Sequence, residues 1–161
     1  TADALLAPPA DSLASAVHAG GPLRLYGPGT GGRPGEPAGV ELQGWLRARE
    51  AGRHQVFADF AFARAGGAIA GVPCAAVLWV EERRAGAASG ELGIGLGRPG
   101  TLSLTLGADL AAPGLYRFRL WLACARGGFP TPPATAEVAL KAPSDPAPHG
   151  LGPDDLLHRE G

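Results

Sequence analysis

The feature that most restricts the fold of this chain is a series of short alternating segments, each ended by glycine or proline. The sequence has 26 glycines and 16 prolines among 161 residues. Successive side chains of a β-strand point to opposite faces of the sheet, so apolar–polar alternation marks a half-buried strand. Short strands that are separated this densely by turn residues predict an all-β fold, an antiparallel β-sandwich or barrel.

The alternation predicts eight strands, and the clusters of turn residues between them predict the loops. The strands span 23–26, 40–48, 54–63, 75–82, 90–96, 101–106, 115–124 and 135–141. Residues 86–90 are interpreted as one of the breaks, because they contain two glycines. Glu81 and Glu82 fall at the end of a predicted strand. As strand neighbours they would point to opposite faces, so we expect that they cannot converge on one group.

The chain is predicted to have three parts. Residues 1–22 form an N-terminal arm, 23–141 form the sandwich domain, and 142–161 form a Pro-rich tail that packs on the domain. Within the arm, Asp11 as N-cap and Gly20 as C-terminal signal predict one short helix over 11–19. In the tail, Pro153 at a first helical position predicts a helical turn over 153–158.

The two cysteines indicate the compartment in which the protein works. Cys74 and Cys124 lie on the inward faces of their predicted strands. If those strands are neighbours, a disulfide would close a loop of about 50 residues and stabilise the fold by about 4 kcal/mol. Disulfides persist in oxidising compartments, which predicts an extracellular, cell-surface or periplasmic protein. Two buried free thiols in a cytosolic protein are the alternative.

Further features bear on export and on membrane contact. The chain begins with Thr1 and contains no Met, so we expect that an initiator was removed together with a secretory signal. No run approaches 18 consecutive apolar residues, and no transmembrane segment is predicted. The net charge of −1 and the pI of about 6.4 argue against a nucleic-acid or membrane-surface partner.

Sequence motifs for catalysis, cofactors and metals are missing or lack their context. Residues 27–32 have the GxGxxG spacing, but two prolines follow where a dinucleotide site needs a helix. The four histidines have no metal-ligand spacing, and no serine sits in a GxSxG elbow. We therefore predict a protein that is not an enzyme and that uses neither a cofactor nor a metal.

All three tryptophans lie on the polar side of alternating strands. Trp45 and Trp79 each face away from the apolar set of their strand, and Trp121 shares its outward face with Arg117 and Arg119. Outward aromatic rings indicate a partner, a ligand or a covering segment. Arginine and tryptophan are enriched at protein–protein contacts, so these five residues are the candidate partner- or glycan-binding set. The alternative is that Trp79 and Trp121 lie beneath the arm or the tail.

Residues 40–157 contain a series of motifs: GWLRA at 44–48 with Phe57, LWV at 78–80, LSLTL at 102–106 followed by PGLYRF at 113–118, and the closing LKAP and PDDLL at 140–143 and 153–157. Through these motifs, taken together, the segment resembles the PA14 domain family of β-sandwich modules found in adhesins, glycosidases and toxins. The resemblance implies a sandwich fold and a binding or adhesion role.

One departure from the family bears on the ligand. Members that bind sugar through calcium carry an acidic pair after the second strand, where this chain has ARAGG at 63–67. Calcium needs several converging oxygens, and Asp59 is the only carboxylate nearby, so a calcium site of that type is not expected.

The sequence as a whole favours an exported, non-catalytic bacterial subunit. We expect it to take part in the assembly or adhesion of a cell-surface or envelope complex, as a homo-oligomer or within a larger protein assembly. The alternative is a carbohydrate-binding, lectin-like module that stacks sugar rings on its tryptophans.

Overall fold

The protein is a sandwich of two antiparallel β-sheets. The computed structural model describes Leu6 and residues 23–25, 37–62, 71–93, 100–125, 134–152 and 155–157, and these contain ten strands and no α-helix. The strands are β1 (Leu23–Arg24), β2 (Pro37–Ala48), β3 (Gly52–Phe62), β4 (Val72–Val80), β5 (Arg83–Leu92), β6 (Thr101–Leu110), β7 (Gly114–Ala125), β8 (Ala134–Lys141), β9 (His149–Gly150) and β10 (Leu156–Leu157). The predicted all-β sandwich is confirmed. The predicted helix at 11–19 and the glycine loop at 27–32 lie outside the described residues.

The two sheets divide the strands evenly. Sheet A has the order β1-β8-β3-β6, with β9 also pairing with β8, and sheet B has the order β10-β2-β7-β4-β5. Because side chains alternate, one set from each sheet points into a shared core. Its largest fully buried apolar side chains include Phe60, Leu46, Leu78, Leu92, Leu120 and Leu122. The other set faces outward, which leaves each sheet with a distinct outer face.

The predicted disulfide is confirmed and lies inside sheet B. Cys74 on β4 is directly opposite Cys124 on β7, both are fully buried, and their sulfurs are bonded. The bond joins residues that are 50 positions apart in sequence, so it restricts the unfolded chain over a long loop. It also fixes the register between two central strands of sheet B.

The prediction for β5 is wrong at its first half. The segment 86–90 is not a break but the middle of the strand, which runs from Arg83 to Leu92. Its inward positions are small because β6 of the opposite sheet lies close above them. A Cβ added to Gly90 would lie 3.0 Å from Leu102, and one added to Gly86 would lie 3.7 Å from the backbone of Gly107. These glycines therefore allow two sheets to approach and do not end a strand.

The end of β4 also differs from the prediction. The strand stops at Val80, and Glu81 and Glu82 form a two-residue turn to β5, with φ angles of 53° and 64°. A tight hairpin of this kind needs left-handed backbone at both central positions, which is why Asn-Gly usually occupies it. Two glutamates in this conformation carry backbone strain, and such strain often marks a functional position.

The tail adds one short strand to each sheet. β9 pairs with β8 in sheet A, and β10 pairs with β2 in sheet B. The helical turn predicted over 153–158 is wrong at Leu156 and Leu157, which are strand residues. Only a single turn precedes them, in which the amides of Asp155 and Leu156 donate to the Gly152 carbonyl at 3.0 and 3.1 Å. Pairing with the edge of β2 is available to Leu156 and Leu157 and outweighs the local helix signal.

Candidate functional site

The outer face of sheet B brings four of the five candidate binding residues together. Register places Trp45 of β2 directly opposite Arg117 of β7, and Arg119 of β7 directly opposite Trp79 of β4. Because Arg117 and Arg119 are two residues apart on one strand, both project outward. Trp121 follows two residues later on the same side. The alternation of side chains along each strand is sufficient to place Trp45, Trp79, Arg117 and Arg119 on this face.

Each of the two partly exposed tryptophans is stacked against an arginine. The guanidinium carbon of Arg117 lies 5.6 Å from the centroid of the Trp45 ring, and that of Arg119 lies 4.1 Å from the Trp79 ring. Both distances are within the range of cation–π attraction, which contributes about 0.5–1 kcal/mol at exposed sites. We call these four residues the Trp–Arg face.

The Trp–Arg face forms the wall of an open groove with a volume of about 760 Å³. The groove is lined by Gln43, Gly44, Trp45, Trp79, Glu82, Arg117, Phe118 and Arg119. Gln43 and Glu82 are therefore site residues that the sequence analysis did not select. Gln43 lies two positions before Trp45 on β2 and therefore shares its face, which could have identified it from the sequence. Glu82 enters the groove through the left-handed turn, which strand alternation does not predict.

The Glu81–Glu82 turn holds Arg117 in place. The Arg117 backbone amide donates to Glu81 Oε1 at 2.8 Å, and the Glu81 amide donates to the Arg117 carbonyl at 2.9 Å. The Arg117 side chain donates from Nη1 to Glu82 Oε1 at 2.7 Å. Both glutamates thus converge on one residue, contrary to the expectation from strand alternation. The turn conformation is the reason, because it removes both side chains from the pleat.

Arg119 is held mainly by its aromatic neighbour. Its one ion pair among the described residues joins Nε to Glu41 Oε1 at 4.0 Å, which is too long for a hydrogen bond. Glu41 itself accepts a hydrogen bond from the Gln43 side-chain amide. The Arg119 side chain remains 43% exposed. Its guanidinium is therefore oriented by stacking, and that contact uses none of its N–H donors.

Trp121 lies on the same sheet face but outside the groove. Its residue exposure is 6%, and it forms a small apolar cluster with Val77 on β4 and neighbouring alanines. Gly39 on β2 makes room for the indole, since a Cβ there would lie 2.7 Å from Cη2 of the ring. Leu6 packs against the same cluster, as the alternative of cover by the N-terminal arm predicts.

The remaining titratable groups do not gather into a second site. Within the described ranges, no three His, Cys, Asp or Glu side chains are placed to hold a metal ion. His149 lies between two carboxylates of the tail, with Nε2 3.1 Å from Asp155 Oδ1 and Nδ1 3.5 Å from Asp145 Oδ2. His54 is buried, and its Nδ1 donates to the Gly52 carbonyl oxygen at 3.1 Å. The described part of the chain contains no apolar helix of membrane-spanning length.

Comparisons with known proteins add one similarity of fold. No protein-family model matches the sequence, and no curated protein matches it. Among solved structures, the chain is similar to the PA14 domain of the MpAFP antifreeze protein, with a TM-score of 0.48 and 14% sequence identity. The match covers 74% of this chain and 51% of that one, so the chain spans about half the length of the structure it matches. This similarity concerns the fold alone and is of the kind that the sequence motifs predict.

Proposed function

We propose that this protein is an exported, non-catalytic β-sandwich that serves as an assembly or adhesion subunit of a cell-surface or envelope complex. The Trp–Arg face is its contact surface. The observation that carries the proposal is the side-by-side pair of indole–guanidinium stacks along a groove on one sheet face.

The residue types of this face are those that dominate protein–protein contacts. Trp and Arg combine a large apolar area with directional hydrogen bonding, and both are enriched among contact residues with large energetic effects. Stacking also fixes the side chains before a partner arrives, which lowers the entropy cost of binding. The strained turn beside Arg117 supports the same interpretation, because it maintains that arginine in one position.

Export is supported by the cysteines. The bond between Cys74 and Cys124 is fully buried and uses both cysteines of the chain, so no free thiol is left. Such a bond is typical of proteins in oxidising compartments. The disulfide therefore supports the proposal that the protein works outside the cytosol, in the periplasm, at the cell surface or in the extracellular space.

Site-specific cross-linking tests the contact surface in the cells that make the protein. A photoreactive side chain replaces Gln43 in the groove, and in a matched control it replaces Gln55 on the outer face of sheet A. We expect cross-linked partners from position 43 and few from position 55. Absence of products from position 43, together with a compact monomer at high concentration by light scattering, would contradict the proposal.

Carbohydrate binding is the second candidate. Trp45 and Trp79 are only partly buried, and Gln43 and Glu82 offer hydrogen-bonding groups beside them. Against it, one face of each indole is already covered by a guanidinium, whereas a stacked sugar needs an open ring face. A glycan array probed with and without calcium distinguishes the two, because a flat response in both conditions removes this candidate.

A further inference from the structure

The two arginines on the strands beside Trp79 differ from Arg117 in having no carboxylate at hydrogen-bond distance among the described residues. Arg119 of β7 stacks on the ring, and register places Arg84 of β5 opposite Trp79 on the other side of β4. Arg117 is neutralised by Glu82 at 2.7 Å. Arg119 has only the 4.0 Å contact with Glu41, and Arg84 forms no ion pair among the described residues.

We propose that the groove binds carboxylate groups on an acidic segment of the partner protein. Arg119, which lines the groove, is the main receptor, and Arg84, which lies on β5 and does not line the groove, is the second. This inference rests on the proposed function, since it names the chemistry of the partner at the same surface. A guanidinium presents its N–H donors in one plane and can hold a carboxylate through two parallel hydrogen bonds.

The stack on Trp79 prepares Arg119 for this role. At 4.1 Å from the ring centroid, the guanidinium is held against the indole while its N–H groups stay unused by the stack. Because the side chain is oriented in advance, less rotamer entropy is lost when a carboxylate arrives. Arg84 is exposed, and its charge adds to the attraction without requiring a fixed position.

Charge complementarity favours an acidic partner over a neutral one. The protein as a whole has a net charge of −1, yet Trp79 is flanked by two arginines that keep their charge available. Nothing acidic on this face satisfies them at hydrogen-bond distance among the described residues. A partner that brings its own carboxylates would complete the pairing that this face lacks.

A protein segment fits the groove better than an acidic polysaccharide does. A uronic acid would have to combine its carboxylate contact with stacking of the sugar ring, and a guanidinium already covers one face of both indoles. A peptide carboxylate needs only the guanidinium edge. The peptide backbone can then follow the open groove past Gln43.

The test is an NMR titration of the full ¹⁵N-labelled chain with three probes. These are a synthetic peptide of alternating glutamate and glycine, its glutamine–glycine counterpart, and an oligogalacturonate. We expect the Trp79 indole N–H and the Arg119 Nε–H to shift with the glutamate peptide, and binding about tenfold weaker for the glutamine peptide. Raising the salt from about 50 to about 500 mM should weaken binding, because both groups are near the surface.

Variants at Arg119 separate charge from geometry. Arg119→Gln should reduce affinity for the glutamate peptide about tenfold, and Arg119→Lys should also reduce it severalfold, because lysine keeps the charge and loses the bidentate fork. Arg53→Gln on the outer face of sheet A is the matched control and should have no effect. Thermal unfolding of each variant verifies that it is folded.

Three outcomes would overturn the inference. They are no local shift with the glutamate peptide, equal binding by Arg119→Gln, and binding of the oligogalacturonate in preference to the peptide. Its failure can be told apart from failure of the proposed function. If cross-links from position 43 persist while the peptide does not bind, the contact surface is upheld and the carboxylate chemistry is wrong. If the cross-links are also absent and the protein stays a compact monomer at high concentration, both the inference and the proposed function are wrong.

Discussion

The outer faces of the two sheets follow the same alternation but differ in how their side chains are satisfied. On sheet A, polar groups pair with each other: Ser103 Oγ donates to Asp59 at 2.7 Å, and Arg53 pairs with Asp109 at 3.3 Å. On sheet B, the corresponding positions hold indoles that stack on guanidiniums, and one tryptophan is buried. Alternation thus decides which side chains face outward. Their identity decides whether they pair with each other as polar groups, as on sheet A, or form aromatic–cation stacks, as on sheet B.

We expect the largest effect from loss of the disulfide. The bond lies in sheet B and has no equivalent in sheet A, because the chain contains only two cysteines. Replacing Cys74 and Cys124 together by alanine should lower the free energy of unfolding by about 4 kcal/mol, because the unfolded chain regains the freedom of a long loop. Denaturant unfolding measures the loss, and the variant should no longer respond to a reductant. A change below about 1 kcal/mol would show that the bond does not control sheet stability.

The buried tryptophan gives the next effect. Trp121→Ala should cost about 3 kcal/mol, because it leaves a cavity on a covered face. Thr105→Ala, at an exposed position on the outer face of sheet A, is the control and should change stability by less than about 0.5 kcal/mol. If the two substitutions have equal effects in denaturant unfolding, the outer layer of sheet B is not packed as described.

The tail contributes one short strand to each sheet, and the Asp155 side chain connects residues of the tail. Its carboxylate accepts from the Gly152 amide at 3.1 Å and contacts His149 at 3.1 Å. Asp155→Ala should cost about 2 kcal/mol, since it leaves partners of a buried group unsatisfied. Hydrogen exchange should become faster at the Leu156 amide. Glu137→Ala, at an exposed position, is the control, and unchanged exchange in the tail would contradict the role of Asp155.

The smallest expected effect is the coupling free energy of single contacts. Double-mutant cycles compare one contact from each outer face. Trp79 and Arg119 should show a coupling of about 0.5–1 kcal/mol that persists in salt. The exposed pair of Arg53 and Asp109 should couple by no more than a few tenths of a kcal/mol and lose that in salt. Equal couplings would mean that stacking does not distinguish the two faces.

Much of the Trp–Arg face can be predicted from the sequence, because residues two positions apart on a strand point to the same face of the sheet. That argument suffices for Trp45, Trp79, Arg117 and Arg119. It does not extend to Glu82, because left-handed backbone at two glutamates has no local sequence signal. The cover over Trp121 depends on Leu6, which is distant in sequence and has no pattern that points to the indole.

The errors in the strand predictions have equally local causes. In β5 the glycines at 86 and 90 look like turn residues, yet their small size serves the contact with β6. The strands β9 and β10 have two residues each, which is too short for any alternation to appear. Both cases involve a tertiary contact that overrides the local preference of a few residues.

The strand order of sheet B has a consequence for how the protein is made. The neighbours of β2 are β7 and β10. β2 ends at Ala48, and β7 begins only at Gly114, so synthesis must continue past Gly114 before β2 has a partner strand. Until then both edges of β2 lack their partner strands, and unpaired strand edges favour aggregation. A chaperone that binds unfolded chains would therefore matter most for β2, before the tail is made and β10 pairs with its second edge.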